Sequence, residues 1–214
     1  MKLFDGMYFP DHEVHMIKWM QQRNERVNGK LTYQYHKLAA AMKHVKQFRV
    51  AVDVGAHCGM WSMHLREKFG QLVAFEPVAA HRECFEKNVT PADNVILWAV
   101  ALGDHEDTIA IHTSQGSSGD SWVKGGGDIA LRTLDSYDLQ DVDFVKLDCE
   151  GYEYFALKGG EEMLKRCKPC VLVEQKHNHH ERYHLKKRQA VTYLQSLGAV
   201  QRFEMGGDHC LAWG

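Results

Sequence analysis

The sequence lacks an excess of either charge. Its 214 residues carry 26 Lys and Arg against 28 Asp and Glu, a formal net charge of −2. Without a basic surplus, neither nucleic acid nor an anionic membrane is an expected partner. Lys186-Lys-Arg188 is too short a basic run to change this and reads as a solvated helix face. No stretch approaches the roughly 18 apolar residues of a membrane span. Asp5 falls where a signal peptide would need its apolar core. The six cysteines follow no disulfide-framework spacing, so free thiols and a cytoplasmic location are expected. There is no internal repeat and no low-complexity tail. What is present is 44% hydrophobic residues, ample for one packed core. Residues 1–46 read as an N-terminal helical extension or lid ahead of a main domain at 47–214.

The extension opens with an irregular or strand-like arm over residues 1–10. Asp11 is placed to cap a helix from His12 to Val27 that stops at Asn28-Gly29, and Thr32 to cap another reaching Val45. From Phe48 the pattern alternates: strand 48–54, helix 60–69, strand 72–76, helix 79–88, strand 95–98. That alternation is the mark of a parallel sheet with crossover helices. Thr108–His112 and Ile129–Leu134 read as short strands, and the Gly- and Ser-rich stretch Gln115–Asp128 as a mobile loop. Strand 144–148, helix 152–166 interrupted at Gly159-Gly160, strand 171–174 and helix 184–197 resume the alternation. An antiparallel hairpin around Gly206-Gly207 closes the chain.

The strand Val50-Ala-Val-Asp-Val runs into Gly55-Ala-His-Cys-Gly59 and then a helical pattern, the local grammar of a nucleotide-cofactor site. A dinucleotide site prefers G-x-G-x-x-G, whose second glycine lets a pyrophosphate approach the backbone; His57 stands at that position here. The free backbone groups suit an amino-acid-like head group and a ribose instead. Glu76 closes the next strand 23 residues after Asp53, the usual spacing of an acid that accepts ribose hydroxyls.

Four motifs then occur in order: Val-Asp-Val-Gly-Ala-His-Cys-Gly at 52–59, Phe-Glu-Pro at 75–77, Ala-Leu-Gly-Asp at 101–104 and Val-Lys-Leu-Asp-Cys-Glu-Gly-Tyr-Glu at 145–153. Together they resemble the FkbM family of S-adenosylmethionine-dependent methyltransferases, over residues 48 to about 175. The resemblance implies an α/β, Rossmann-like class I methyltransferase fold: a mostly parallel twisted sheet, an antiparallel C-terminal hairpin and helices on both faces. It implies S-adenosylmethionine as cofactor, S-adenosylhomocysteine as product, and a hydroxyl of a small molecule or sugar as acceptor. By it, Asp53, Gly55, Ala56, His57, Gly59, Met60 and Trp61 would surround the methionine part, and Glu76 with Pro77 the ribose. Ala99 and Val100 would lie near the adenine, and Asp148 beside the methyl group. The family commonly has Asn where this chain has His57. A noncatalytic cofactor-binding module and a nicotinamide-dependent oxidoreductase are the alternative readings.

Methyl transfer from a sulfonium is chiefly a positioning task, and an alcohol acceptor also needs its proton removed. Asp148 at the end of a strand, Glu150, Glu174 at the end of the next strand and His177 are the expected catalytic groups. Asp148 and Glu150 also suit plain capping of the following helix. Asp148, Glu174 and His177 are ligand types for a divalent ion, but the resemblance requires none and no metal is expected. Two further motifs are set aside. His180-Glu-Arg-Tyr-His184 fits H-E-x-x-H but directly follows a strand end, and reads as a loop rim. Cys167-Lys-Pro-Cys170 fits C-x-x-C but closes a helix, the reverse of a thioredoxin-like motif. Tyr33, Gln34 and Lys37, and Ser117, Ser118, Ser121 and Trp122 of the Gly/Ser-rich stretch, are candidate cover residues, with Trp122 suited to stacking or to anchoring.

Overall fold

A computed structural model describes residues 1–114 and 117–214. The chain starts with a hairpin of β1 (Lys2–Phe4) and β2 (Met7–Phe9), then α1 (His15–Arg23). This helix is shorter than the expected His12–Val27. The carboxylate at its start is Glu13 rather than Asp11, accepting the Met16 N–H at 2.6 Å. Beyond it, β3 (Arg26–Val27) and β4 (Lys30–Leu31) pair antiparallel around Asn28-Gly29, where both residues take the positive φ of a tight hairpin turn. The second helix, α2 (Tyr35–Met42), is likewise shorter, because Gln34 turns left-handed ahead of it.

The alternating core follows as β5 (Val50–Val54), α3 (Ser62–Lys68), β6 (Gln71–Phe75), α4 (Ala79–Val89) and β7 (Val95–Trp98). Then come β8 (Ala101–Leu102), β9 (Asp107–Ser114), β10 (Ser117–Gly125) and β11 (Ile129–Arg132). The chain ends with β12 (Val142–Leu147), α5 (Glu153–Lys158), α6 (Glu161–Cys167), β13 (Cys170–Glu174), α7 (Gln189–Ser196), β14 (Val200–Met205) and β15 (Asp208–Ala212). One seven-stranded sheet has the order β14-β15-β13-β12-β5-β6-β7, parallel except for β15, which pairs antiparallel with both β13 and β14. The order reverses between β5 and β12, so a crevice opens there beyond the carboxyl ends of the strands.

Alternate residues of the central strands feed two cores. Val50, Val52 and Val54 pack on the face covered by α5, α6 and α7. Ala51, Leu72, Phe144 and Leu172 pack on the other face, against α3, α4 and the N-terminal residues Met7, Phe9, Met20 and Leu38. The first 46 residues therefore share a hydrophobic core with the sheet.

The stretch expected as a loop at Gln115–Asp128 is mostly strand. Gln115 and Gly116 lie outside the described residues, while β10 pairs antiparallel with β9 through a register shift between Ser117 and Ser121. Ladder hydrogen bonds to a neighbouring strand override the poor strand propensity of Gly and Ser. Trp122 is an anchor: it lies beside His112 and under the Arg182 guanidinium, 5.1 Å from its ring centre.

Candidate active site

The glycine turn after β5 is shaped by backbone contact. Gly55 has φ 73°, and a Cβ there would lie 2.0 Å from the carbonyl oxygen of Asp148. Only glycine lets the ends of β5 and β12 meet so closely. At Gly59 the obstacle is different: a Cβ would lie 2.3 Å from Val89 Cγ2, so this glycine admits α4 rather than a ligand.

Beneath the turn, Asp53 and Lys146 are partners in the β5–β12 register, and both are buried. Lys146 Nζ is 3.1 Å from Asp53 Oδ1 and donates to the Gly55 carbonyl at 2.6 Å, while the Ser62 hydroxyl donates to Asp53 Oδ2 at 2.7 Å. Burial works against the Lys146 charge, yet Asp53 and Asp148 raise its pKa above the ordinary lysine value. Sequence reasoning missed this lysine. The signal was a charge inside the otherwise apolar run 144–147, which implies a buried counter-charge.

Glu76 follows β6. Its Oε2 accepts the His57 N–H at 2.8 Å, and its Oε1 accepts from the Val78 N–H at 2.9 Å and from His81 Nδ1 at 3.2 Å. Burial alone would raise the Glu76 pKa, but the His81 hydrogen bond and the two neighbouring imidazoles bring it below the usual carboxylate value. His57 itself is pushed down to about 3, by burial and then by His81, whose ring centre is 4.2 Å away.

A cleft of about 1150 Å³ joins these groups. It is lined by every residue expected at the cofactor except Gly59 and Ala99, and by Asp148, Glu150 and Glu174 of the expected catalytic set. Ala99 is exposed, and the next residue, Val100, takes the inward place. Tyr33 and Gln34 close the cleft from the N-terminal side, and Ser118 and Ser121 of β10 close it from above. Lys37 is instead buried against Asp208, at the start of β15.

Asp148 and Glu174 form a coupled pair at the ends of β12 and β13. Burial, then the Asp148 charge, pushes Glu174 well above the ordinary glutamate value. Burial also opposes the Asp148 charge, but Lys146, Lys176 and the hydrogen bond with Glu174 bring its pKa down. Of the two, Glu174 is the one pushed toward its neutral form and Asp148 the one held toward its charged form. Lys176 pairs with Glu174 and lies 3.4 Å from Asp208.

His177 does not join this group; it is exposed and lines no part of the cleft. Its left-handed backbone turns the chain so that His179 faces inward, with Nδ1 2.8 Å from Glu150 Oε2. Ligand-type atoms of Glu150, Glu174 and His179 lie within 4.8 Å of one another, so the group of suitable ligand types that the fold brings together is not Asp148, Glu174 and His177. The H-E-x-x-H segment is a 3₁₀ helix over His179–Tyr183 with His184 left-handed after it, so His180 and His184 share no α-helical face. Cys170 of the C-x-x-C is buried in the core, with its Sγ 3.6 Å from that of Cys210.

Residues 53–200 match the Methyltransferase FkbM domain family. The chain belongs to the FkbM methyltransferase family. The 2-O-methyltransferase NoeI of Sinorhizobium fredii is 27% identical to it over 188 residues, covering 73% of this chain and 75% of NoeI. A crystal structure of methyltransferase FkbM from Methylobacillus flagellatus KT superposes with a TM-score of 0.54 at 20% identity. That match covers 78% of this chain and 44% of the crystallised one, so this chain spans less than half of that protein. Aeropyrum pernix fibrillarin, crystallised with S-adenosyl-L-methionine, matches with a TM-score of 0.50 at 14% identity, over 87% of this chain and 79% of its own. The fold is that of the class I methyltransferases, and the family makes the protein a methyltransferase. Among the described residues, no helix is long and apolar enough to cross a membrane.

Proposed function

We propose that the cleft binds S-adenosylmethionine and that the protein methylates a hydroxyl of a small molecule or sugar in the cytoplasm. The observation that carries this reading is the coupled Asp148–Glu174 pair, which faces the same cleft as the Gly55 turn and Glu76. The residues present fit the cofactor. The Gly55 site admits no side chain, and His57 Nδ1 is a buried polar atom without a hydrogen-bond partner. Asp53 and the Gly55 turn would hold the methionine end, Glu76 the ribose, and Pro77, Val78 and Val100 the apolar surface for adenine.

When bound, the cofactor supplies a methyl group on a sulfonium sulfur. Asp148, kept ionised by Lys146 and Lys176, accepts the proton of the acceptor hydroxyl. Glu174, pushed toward its neutral form by burial and by the Asp148 charge, hydrogen-bonds Asp148 and holds it in place for the acceptor. Tyr33, Gln34 and Ser118 exclude water from this end. The 2-O-methyltransferase activity in the name of NoeI supports hydroxyl acceptors. The test is methyl transfer from labelled donor to a panel of hydroxylated small molecules and sugars. With a responsive acceptor, Asp148→Asn should lower kcat by about 10²–10⁴-fold while S-adenosylhomocysteine affinity stays within about threefold. Unchanged turnover in that variant removes Asp148 from the reaction.

A further inference from the structure

The Glu76 carboxylate is already heavily used. Of its roughly four acceptor sites, three take the His57 N–H, the Val78 N–H and His81 Nδ1. About one remains, whereas the two hydroxyls of a ribose bring two donors. A second acceptor is needed beside Glu76, and the side chain of His57 is the adjacent candidate.

The protonation of that ring is fixed by its neighbours. Glu13 accepts the Met16 N–H through Oε1, and both the Ser118 N–H and the Ser118 hydroxyl, at 2.5 Å, through Oε2. Ser118 has thus given away its only proton, so its oxygen can only accept from His57 Nε2, 2.7 Å away. His57 Nε2 carries the ring hydrogen and Nδ1 is left as a bare lone pair. Nδ1 is buried and has no hydrogen-bond partner, in a ring that lines the cleft. The Cys58 thiol, 3.9 Å from Nε2, is too distant to reverse this assignment. A buried acceptor left without a donor is destabilising. A donor hydroxyl arriving with the ligand would relieve it.

We infer that His57 Nδ1 accepts a ribose hydroxyl of the bound nucleoside, and that Ser118 and Glu13 are positioning residues that lock the imidazole in the acceptor tautomer. The inference rests on the cofactor reading above. It also gives the N-terminal segment and β10 a role in the cofactor site, since Glu13 lies outside residues 53–200. With a pKa near 3, the ring keeps this form across the working range of pH.

The test uses the full chain with ¹⁵N-labelled histidine. Long-range ¹H–¹⁵N spectra report the tautomer, and His57→Ala identifies the signals. The expected result is an Nε2–H tautomer that does not titrate between about pH 5 and 8, with the Nδ1 resonance moving when S-adenosylhomocysteine is added. Ser118→Ala should mix the tautomers and weaken S-adenosylhomocysteine binding about three- to tenfold by calorimetry. If Ser118→Ala does not fold, the wild-type spectra decide alone. An Nδ1–H tautomer overturns the inference. So does an unmoved Nδ1 in a sample that calorimetry shows to be saturated, and in that case the cofactor reading survives. No S-adenosylhomocysteine binding by the wild type overturns both.

Discussion

Asp53 and Lys146 illustrate how a single residue type is dictated by its place. Lys146 is 8% exposed and Asp53 fully buried, so each charge is tolerable only beside the other. Lys146→Met should cost about 3–5 kcal/mol in urea unfolding, because it leaves Asp53 without its counter-charge. Adding Asp53→Asn should recover most of that loss. A single variant as stable as the wild type would show that the pair carries no such weight. At this scale the sequence was legible wherever one residue announces its own environment. Asp53 and Glu76 end apolar strands, and Gly55 sits where a strand must turn. Lys146, His81, Ser118 and Asp208 were legible poorly or not at all as site residues, because their roles depend on partners brought close only by folding. Lys146 lies 3.1 Å from a residue in another strand, and Ser118 2.5 Å from Glu13, in the N-terminal segment. His177 was preferred to His179 for the same reason: one left-handed residue decides which imidazole faces inward.

At the scale of elements, the turn between β12 and α5 is held by a buried carboxylate. Glu150 and Gly151 both have positive φ, and Glu153 Oε1 accepts the N–H groups of Cys149 at 2.8 Å and Gly151 at 3.0 Å. Burial pushes Glu153 up to about 7, although these backbone donors lower it. The folded state therefore binds a proton more tightly than the unfolded chain. This contribution to stability is full below about pH 4.5 and is lost as pH rises through about 7. Glu153→Gln should flatten the decline of Tm across that window, measured by thermal melts at stepped pH. An identical pH slope in both proteins would contradict the assignment. The parallel strands and the C-terminal hairpin were readable from their apolar runs and glycines. β10 was not, because its Gly and Ser residues resemble a loop until β9 supplies the other half of the ladder. α1 and α2 were overextended, since helical spacing does not reveal where tertiary contacts end a helix.

Across the whole molecule, residues 1–46 belong to the same packing unit as the sheet. Phe9 and Leu38 are fully buried, and Asn88 of α4 grips Tyr8 through both its backbone N–H and its carbonyl. Trp61 Nε1 donates to the Tyr33 carbonyl at 2.8 Å, which fixes the cleft wall to the glycine turn. Deleting residues 1–46 should thus give an aggregating or molten chain rather than an open-lid enzyme. Phe9→Ala should cost about 3–5 kcal/mol. A truncated protein with a cooperative melt near the wild-type Tm would show that the extension is dispensable. The central claim, that the β5–β12 cleft is a methyl-donor site, is tested most directly by calorimetry of the full chain against S-adenosylmethionine, S-adenosylhomocysteine and NAD. Saturable binding of the two sulfur nucleosides, weakened at least tenfold by Glu76→Ala, with no heat from NAD, is the predicted result. NAD binding without S-adenosylhomocysteine binding would contradict it.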